Sequence, residues 1–305
     1  MKHYLTERDL DPVQSQLLLQ EARALKAARA RRELRSDLAG RHVAMYFEKP
    51  SVRTRVSFTL AVRELGGEVV ELGPQNTKVG HGEELEDFAK VIGRYVHGIV
   101  ARVFAQDDLQ IMATAAGVSV INALSDERHP CQALADMMTI EERFGSVKGL
   151  RIAFLGEGNN VSASLAGLGV MLGAEVRVAS PDSCRLSERV RQECQSGPGK
   201  LVELADPVVA ARGADVLYTD TWVSMGREGD AAKLRAELSR YHIDEETMAA
   251  ANARAIVMHC LPAVRGEEIS REIMHGPRSA IWDQAENRLH VQKALLLRLL
   301  GEPPQ

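Results

Sequence analysis

Cysteine is scarce. The 305-residue chain has four, Cys131, Cys184, Cys194 and Cys260. That is too few for a disulfide framework, and no two are spaced as CxxC, which argues against a structural zinc site. Long apolar runs are missing too. None reaches the roughly 18 to 20 residues of a membrane span, and the N-terminal MKHYLTERDLDP has no apolar core for a signal peptide. The expected setting is therefore a reducing cytoplasm with no membrane partner. Basic charge is not in excess: 38 Lys and Arg against 42 Asp and Glu give a net charge of −4. A nucleic-acid partner is not expected from such a balance. No solenoid-type repeat or low-complexity tract is visible.

What is present is ordinary for a globular protein. Apolar residues make up 45% of the chain and charged residues 26%, enough to offset chain entropy and exclude disorder as the main state. At roughly 150 residues per domain, the length predicts about two domains. Short apolar runs alternate with helical periodicities along the chain. HVAMYFEKPS, EVVEL, GIVARVF and SVINA read as strands in the first half, and LRIAFLG, EVRVAS, LVEL, DVLYTDTW and IVMHCLP in the second. Such alternation is the pattern of an α/β protein with parallel sheets flanked by helices. The turn GSVKG, Gly145 to Gly149, is the expected linker, and VQKALLLRLLG reads as a terminal amphipathic helix.

Six short motifs carry candidate chemistry. Ser51-Val52-Arg53-Thr54-Arg55 follows a strand and opens a helix. Unpaired amides at a helix start, two hydroxyls and two guanidiniums suit a phosphate; a capping Ser with solvated arginines is the alternative. In His129-Pro130-Cys131-Gln132, His and Gln suit a carbonyl oxygen and an amide nitrogen, against a capping His and a surface Gln. Gly156-Glu157-Gly158-Asn159-Asn160 starts like a dinucleotide fingerprint, but Val161 stands where that pattern needs Gly. Asp220-Thr221-Trp222-Val223-Ser224-Met225-Gly226 pairs an Asp for a cationic amine with donors for a carboxylate, or is an Asx-type turn beside a buried Trp. His259-Cys260-Leu261-Pro262 ends a strand, and Ala285-Glu286-Asn287-Arg288 stands just before the last helix. A packed thiol and an Arg–Glu pair are the plain readings there.

Taken in this order and at these separations, the motifs resemble the ornithine branch of the carbamoyltransferase family, over about residues 40 to 300. SMG with HCLP carries the branch; SxRTR and HPxQ are shared with the aspartate enzymes. The resemblance implies two domains, a carbamoyl phosphate domain at 1–145 and an ornithine domain at 146–285, with 286–305 a helix returning to the first. It implies transfer of a carbamoyl group from carbamoyl phosphate to the δ-amine of L-ornithine, giving citrulline and phosphate, without a cofactor or metal. It also implies a homotrimer or a multiple of one.

By position, the resemblance assigns Ser51, Val52, Arg53, Thr54, Arg102, His129, Gln132, Cys260, Leu261 and Arg288 to carbamoyl phosphate. Lys78 joins them in a loop where this branch usually has Gln. Asn160, Asp220, Ser224 and Met225 are assigned to ornithine, and Arg102, His129, Asp220 and Cys260 to catalysis. Arg53, Arg55, Arg102 and Arg288 would then concentrate positive charge around one small anion. Three alternatives differ at the residue level. A carbamoyltransferase for putrescine or an acylated ornithine would not need the intact SMG. A nicotinamide oxidoreductase needs the missing third glycine. A non-catalytic relative has no use for the full set of phosphate and carbonyl contacts.

Overall fold

The computed structural model describes residues 2–73, 79, 82–223 and 228–301. Two units divide the chain, Met1–Ala135 with Asn287–Gln305, and Asp136–Glu286. The first contains α1 (Pro12–Ala30), β1 (His42–Phe47), α2 (Val52–Arg63), β2 (Glu68–Leu72), α3 (Leu85–Ile92), β3 (Gly98–Arg102), α4 (Gln106–Ala115), β4 (Ser119–Leu124) and the start of α5 (Pro130–Phe144). The sequence sets where α1 begins: Asp11 caps the Gln14 amide, Gln14 returns a bond to Asp11, and Pro12 fills the first helical position, where its missing N–H costs nothing.

The first sheet has the order β2-β1-β3-β4, every pair parallel. Its central strands are apolar along their length because both faces are covered. Ala44, Tyr46, Ile99 and Ala101 pack with Phe88 of α3 and with Leu109 and Met112 of α4. Val43, Met45, Phe47 and Val100 alternate with them and are equally buried. Beyond β4 the N-terminal segment adds one bridge, Tyr4 N–H to Val120 O at 2.9 Å and Asn122 N–H to Tyr4 O at 2.8 Å.

The second unit runs through β5 (Arg151–Leu155), α6 (Asn160–Met171), β6 (Glu175–Ala179), α7 (Glu188–Cys194), β7 (Lys200–Leu204), α8 (Pro207–Ala211), β8 (Val216–Thr219), α9 (Ala231–Leu238), α10 (Glu245–Ala250), β9 (Ile256–His259) and α11 (Arg271–Met274). Its sheet is again parallel, in the order β7-β6-β5-β8-β9. Ala153, Leu155, Leu217 and Val257 form one core face with Ala210, Leu234 and Met248.

The alternation of strands and helices in the sequence is the alternation in the structure. Several strands end earlier than the sequence suggests: β1 stops at Phe47, β3 at Arg102, β8 at Thr219 and β9 at His259, which leaves the polar and proline-containing segments after them outside the sheets. The last helix also needs correction: Ala285 to Arg288 does not precede it but lies within it, since α12 spans Ile281–Leu300. The helix was under-read because much of what it buries is polar. Gln284, Asn287, Arg288, His290, Gln292 and Lys293 are all buried, so apolar periodicity appears only in the C-terminal turns. From Asn287 onward α12 packs in the first unit. Lys26 of α1 donates to Asn287 Oδ1 at 2.8 Å, Lys293 pairs with Glu64, and Leu300 lies against Gly98 of β3. The units divide inside α5 and inside α12; Gly145 to Gly149 follows the end of α5. No helix among the described residues is long and apolar enough to cross a membrane.

Phe58 anchors the inner face of α2 and is fully buried. Phe58→Ala is expected to lower stability by about 3–5 kcal/mol, read as a fall in the urea midpoint; a loss under about 1 kcal/mol would mean that the helix is not held by this contact.

Candidate active site

In an open parallel sheet, ligands bind beyond the carboxyl ends of the strands, where the strand order reverses. The first sheet reverses between β1 and β3, and the second between β5 and β8. The motifs fall at these ends. Ser51 to Thr54 follow β1, Arg102 ends β3, Gly156 to Asn160 follow β5, Asp220 follows β8 and Cys260 follows β9.

In the first unit, Ser51 occupies the N-cap of α2 in extended conformation, yet its side chain makes no capping bond. The first-turn amides therefore receive nothing from the cap, and no acidic residue stands in that turn. Together they form a positive, donor-rich end suited to an anion. Thr54 is buried one turn in. Its Oγ1 accepts from Arg288 Nη2 at 2.8 Å, and Arg102 Nη1 stands 3.5 Å away. The pairing of β3 with β4 shifts register between Ala101 and Arg102, and such an irregularity re-aims the side chain that follows it. Two guanidiniums thus meet at one hydroxyl. Val52 and Arg53 are exposed. Arg55 turns away from this group, bonded to Glu71 and lying over the Phe47 ring, so the expected cationic cluster does not include it.

His129 caps α5, its carbonyl accepting the Gln132 and Ala133 amides at 3.0 and 3.2 Å. The imidazole and the Gln132 side chain one turn on are both buried. Burial, and then the Arg288 and Arg102 guanidiniums, hold His129 well below its ordinary 6.5. It is a neutral ring that can donate one N–H. Between them Cys131 is a closed thiol, donating to Asn122 O at 3.3 Å and pushed up to about 12 by burial.

In the second unit, Gly156 takes φ +146, open to glycine alone, and a Cβ on Gly158 would overlap the backbone of Arg185 and Leu186. This close turn delivers Asn159 to the N-cap of α6, where its Oδ1 accepts the amides of Val161 and Ser162, both at 3.0 Å. Asn159 Nδ2 donates to Asp220 Oδ2 at 2.9 Å. The other Asp220 oxygen accepts from the Thr221 amide at 2.8 Å and from Cys260 Sγ at 2.9 Å. Leu261 follows at φ +60, a left-handed conformation that costs a branched residue about 1–3 kcal/mol. Its amide donates to His259 Nδ1 at 2.8 Å, while His259 Nε2 faces Glu268 Oε1 at 3.2 Å. The first bond makes Nδ1 the acceptor, so the proton sits on Nε2.

Asp220, His259 and Cys260 bring ligand atoms within 4.8 Å of one another, close enough for a metal ion by distance. Both ring nitrogens of His259 are committed, however, so only Asp220 and Cys260 could turn to a metal without breaking those bonds. Two ligands fall short of a protein zinc site.

Asn159, to which the sequence reading gave no role, holds Asp220; the missed signal was the polar residue before an apolar helix, the ordinary mark of an N-cap. Asn160 is half-buried as the first residue of α6. Also unforeseen is the support under β9, where Gln284 Oε1 accepts the His259 amide at 2.9 Å and Gln284 Nε2 donates to Asp136 at 2.7 Å and to Tyr218 at 2.9 Å. No local motif marks residues so distant in sequence. Lys78, Ser224 and Met225 lie outside the described residues.

Comparison with known proteins agrees with this layout. Residues 2–142 match the family model described as aspartate/ornithine carbamoyltransferase, carbamoyl-P binding domain, and residues 148–299 match its Asp/Orn binding domain. The chain belongs to the aspartate/ornithine carbamoyltransferase family. Within it, the chain is 49% identical to an ornithine carbamoyltransferase of Synechocystis over 305 residues, 97% of this chain and 98% of the relative. It is 48% identical to one of Acidothermus cellulolyticus over 98% of this chain and 97% of the relative. The structure of ornithine carbamoyltransferase from Pyrococcus furiosus superimposes with a TM-score of 0.95 at 41% identity, covering 99% and 98% of the two chains.

A neutral His129 has a consequence for this carbamoyltransferase. The unfolded chain takes up a proton near 6.5 that the native imidazole refuses. Its contribution to stability is complete above 6.5 and is lost as pH falls from there toward the depressed native value. Urea midpoints between about pH 7 and 5 should therefore fall less steeply in His129→Gln than in the parent; identical slopes would contradict a neutral histidine.

Proposed function

We propose that the protein transfers the carbamoyl group of carbamoyl phosphate to the δ-amine of L-ornithine, giving L-citrulline and phosphate. The observation that carries this reading is the meeting of Arg102 and Arg288 at Thr54, in the first turn of α2 and within electrostatic reach of a neutral His129. The phosphate belongs with Ser51, Arg53, Thr54 and the Val52 amide. The carbonyl oxygen belongs with Thr54, Arg102 and His129, and the carbamoyl nitrogen with Gln132. Arg288, Cys260 and Leu261 complete the carbamoyl surroundings, and the strained backbone at Leu261 supports a functional role for that turn. We assign Asn160, Asp220, Ser224 and Met225 to ornithine. The Asn159–Asp220–Cys260 bonds support Asp220 as the fixed anion for its amine. Lys78 is assigned to phosphate, reached from a neighbouring subunit of a homotrimer or a multiple of one.

Chemically, the neutral δ-amine attacks the carbonyl carbon. A C–N bond forms, negative charge builds on the carbonyl oxygen, the C–O bond to phosphate breaks, and the amine releases a proton. Phosphate departs with the electron pair into the α2 terminus. A neutral His129 donates to the developing oxyanion beside two guanidiniums, and positioning supplies much of the remaining acceleration. Asp220 and Cys260 orient the incoming amine. Carbamoyl phosphate is assigned to residues 1–145 and ornithine to 146–285, with 286–305 returning Arg288 to the first. A cytoplasmic setting is supported by the absence of any disulfide among the four cysteines.

Parallel assays with ornithine, putrescine, aspartate and acetylornithine as acceptors should give turnover with ornithine. A preference for any other acceptor would overturn the reading. Thr54→Val should lower kcat by ~10²–10³, and wild-type activity should rise toward alkaline pH as the amine loses its proton. A flat profile with chemistry limiting would contradict the mechanism.

A further inference from the structure

Both neighbours of His129 in the chain are tied to the N-terminal segment that precedes α1. Arg128 Nη1 bonds Glu7 Oε1 at 2.5 Å, and both side chains are buried, 1% and 0% exposed. On the other side, the Tyr4 hydroxyl reaches the Pro130 carbonyl at 3.5 Å. The segment is itself held in place: the Leu5 and Thr6 amides donate to Asp9 Oδ2 at 2.6 and 2.8 Å, and Asn122 Nδ2 donates to the Leu5 carbonyl at 2.9 Å. The turn leading to His129 closes on Ser125, whose amide donates to Arg128 O at 2.9 Å and whose Oγ accepts the Arg128 amide at 3.1 Å. Ser125 Oγ in turn donates to Gln106 Oε1 at 2.5 Å.

We infer that residues 3–9 act as a positioning element for His129, with Glu7 as the anchor through Arg128 and Tyr4 as a lesser brace through Pro130. The inference rests on the role of His129 as a carbonyl donor. A buried ion pair is a poor way to gain stability, because desolvation offsets its attraction and an apolar pair of similar size is often as good or better. What such a pair does supply is one fixed geometry on a short tether, one residue from the imidazole. An oxyanion donor needs that, since a displacement of about 1 Å can cost 10²-fold in rate.

Glu7→Gln removes the anchoring charge with little change of shape. Glu7→Leu/Arg128→Met removes the pair and leaves no unpaired charge. For both, kcat and KM with carbamoyl phosphate are measured alongside the inhibition constant of inorganic phosphate, which needs the α2 terminus but not His129. The expected result is a fall in kcat/KM of about 10- to 100-fold with phosphate inhibition held within about twofold, in proteins that unfold cooperatively. Three results overturn the inference: a folded variant with unchanged kcat/KM, an equal weakening toward carbamoyl phosphate and phosphate, or the failure of both variants to fold, which would make the pair a structural element. An inactive wild type would instead defeat the functional reading itself.

Discussion

A parallel strand covered on both faces has room for polar chemistry only at its ends, and this constraint organises the protein. The strands β1, β3, β5, β8 and β9 are apolar through their middles and carry their polar motifs at or just beyond their last residues. Each sheet reverses its strand order once, and the reversal opens a crevice at the carboxyl edge. The α2 terminus, Arg102, the Gly156 turn and Asp220 lie there because the sheets leave no other place for them.

Within the first unit the constraint is electrostatic as well. Arg102 and Arg288 come from segments far apart in sequence and converge on the small oxygen of Thr54. Burial, and then their field, keep His129 neutral, so the ring does not add a third cation beside them. The buried polar face of α12 follows from the same need, since a helix that delivers Arg288 to the site must carry polar residues through a packed interior. In the second unit one capping residue, Asn159, does two tasks: it satisfies the start of α6 and orients a carboxylate.

Much of this was legible in the chain itself. Strand and helix alternation follows from local apolar periodicity, which a parallel sheet requires of its own strands. Ser51, Arg102, His129 and Asp220 stand at strand ends that the same periodicity marks. Less legible were the features that depend on who meets whom. Arg55 looked as cationic and as available as Arg53 until Glu71 of the neighbouring strand claimed it. Asn159 and Asn160 are adjacent and chemically identical, and only the helix start distinguishes them. The last helix hid its first turns because burial of polar side chains erases the pattern by which helices are found.

Alone, the sequence determined the α/β class, the order of the motifs and the branch of the family, because those depend on local periodicity and on residues close together in the chain. Tertiary structure decided which charges converge, which are claimed by a neighbour and which nitrogen of His259 carries the proton. Those properties depend on distance and desolvation between segments as remote as Thr54 and Arg288, or Glu7 and Arg128, and only folding brings them within a hydrogen bond.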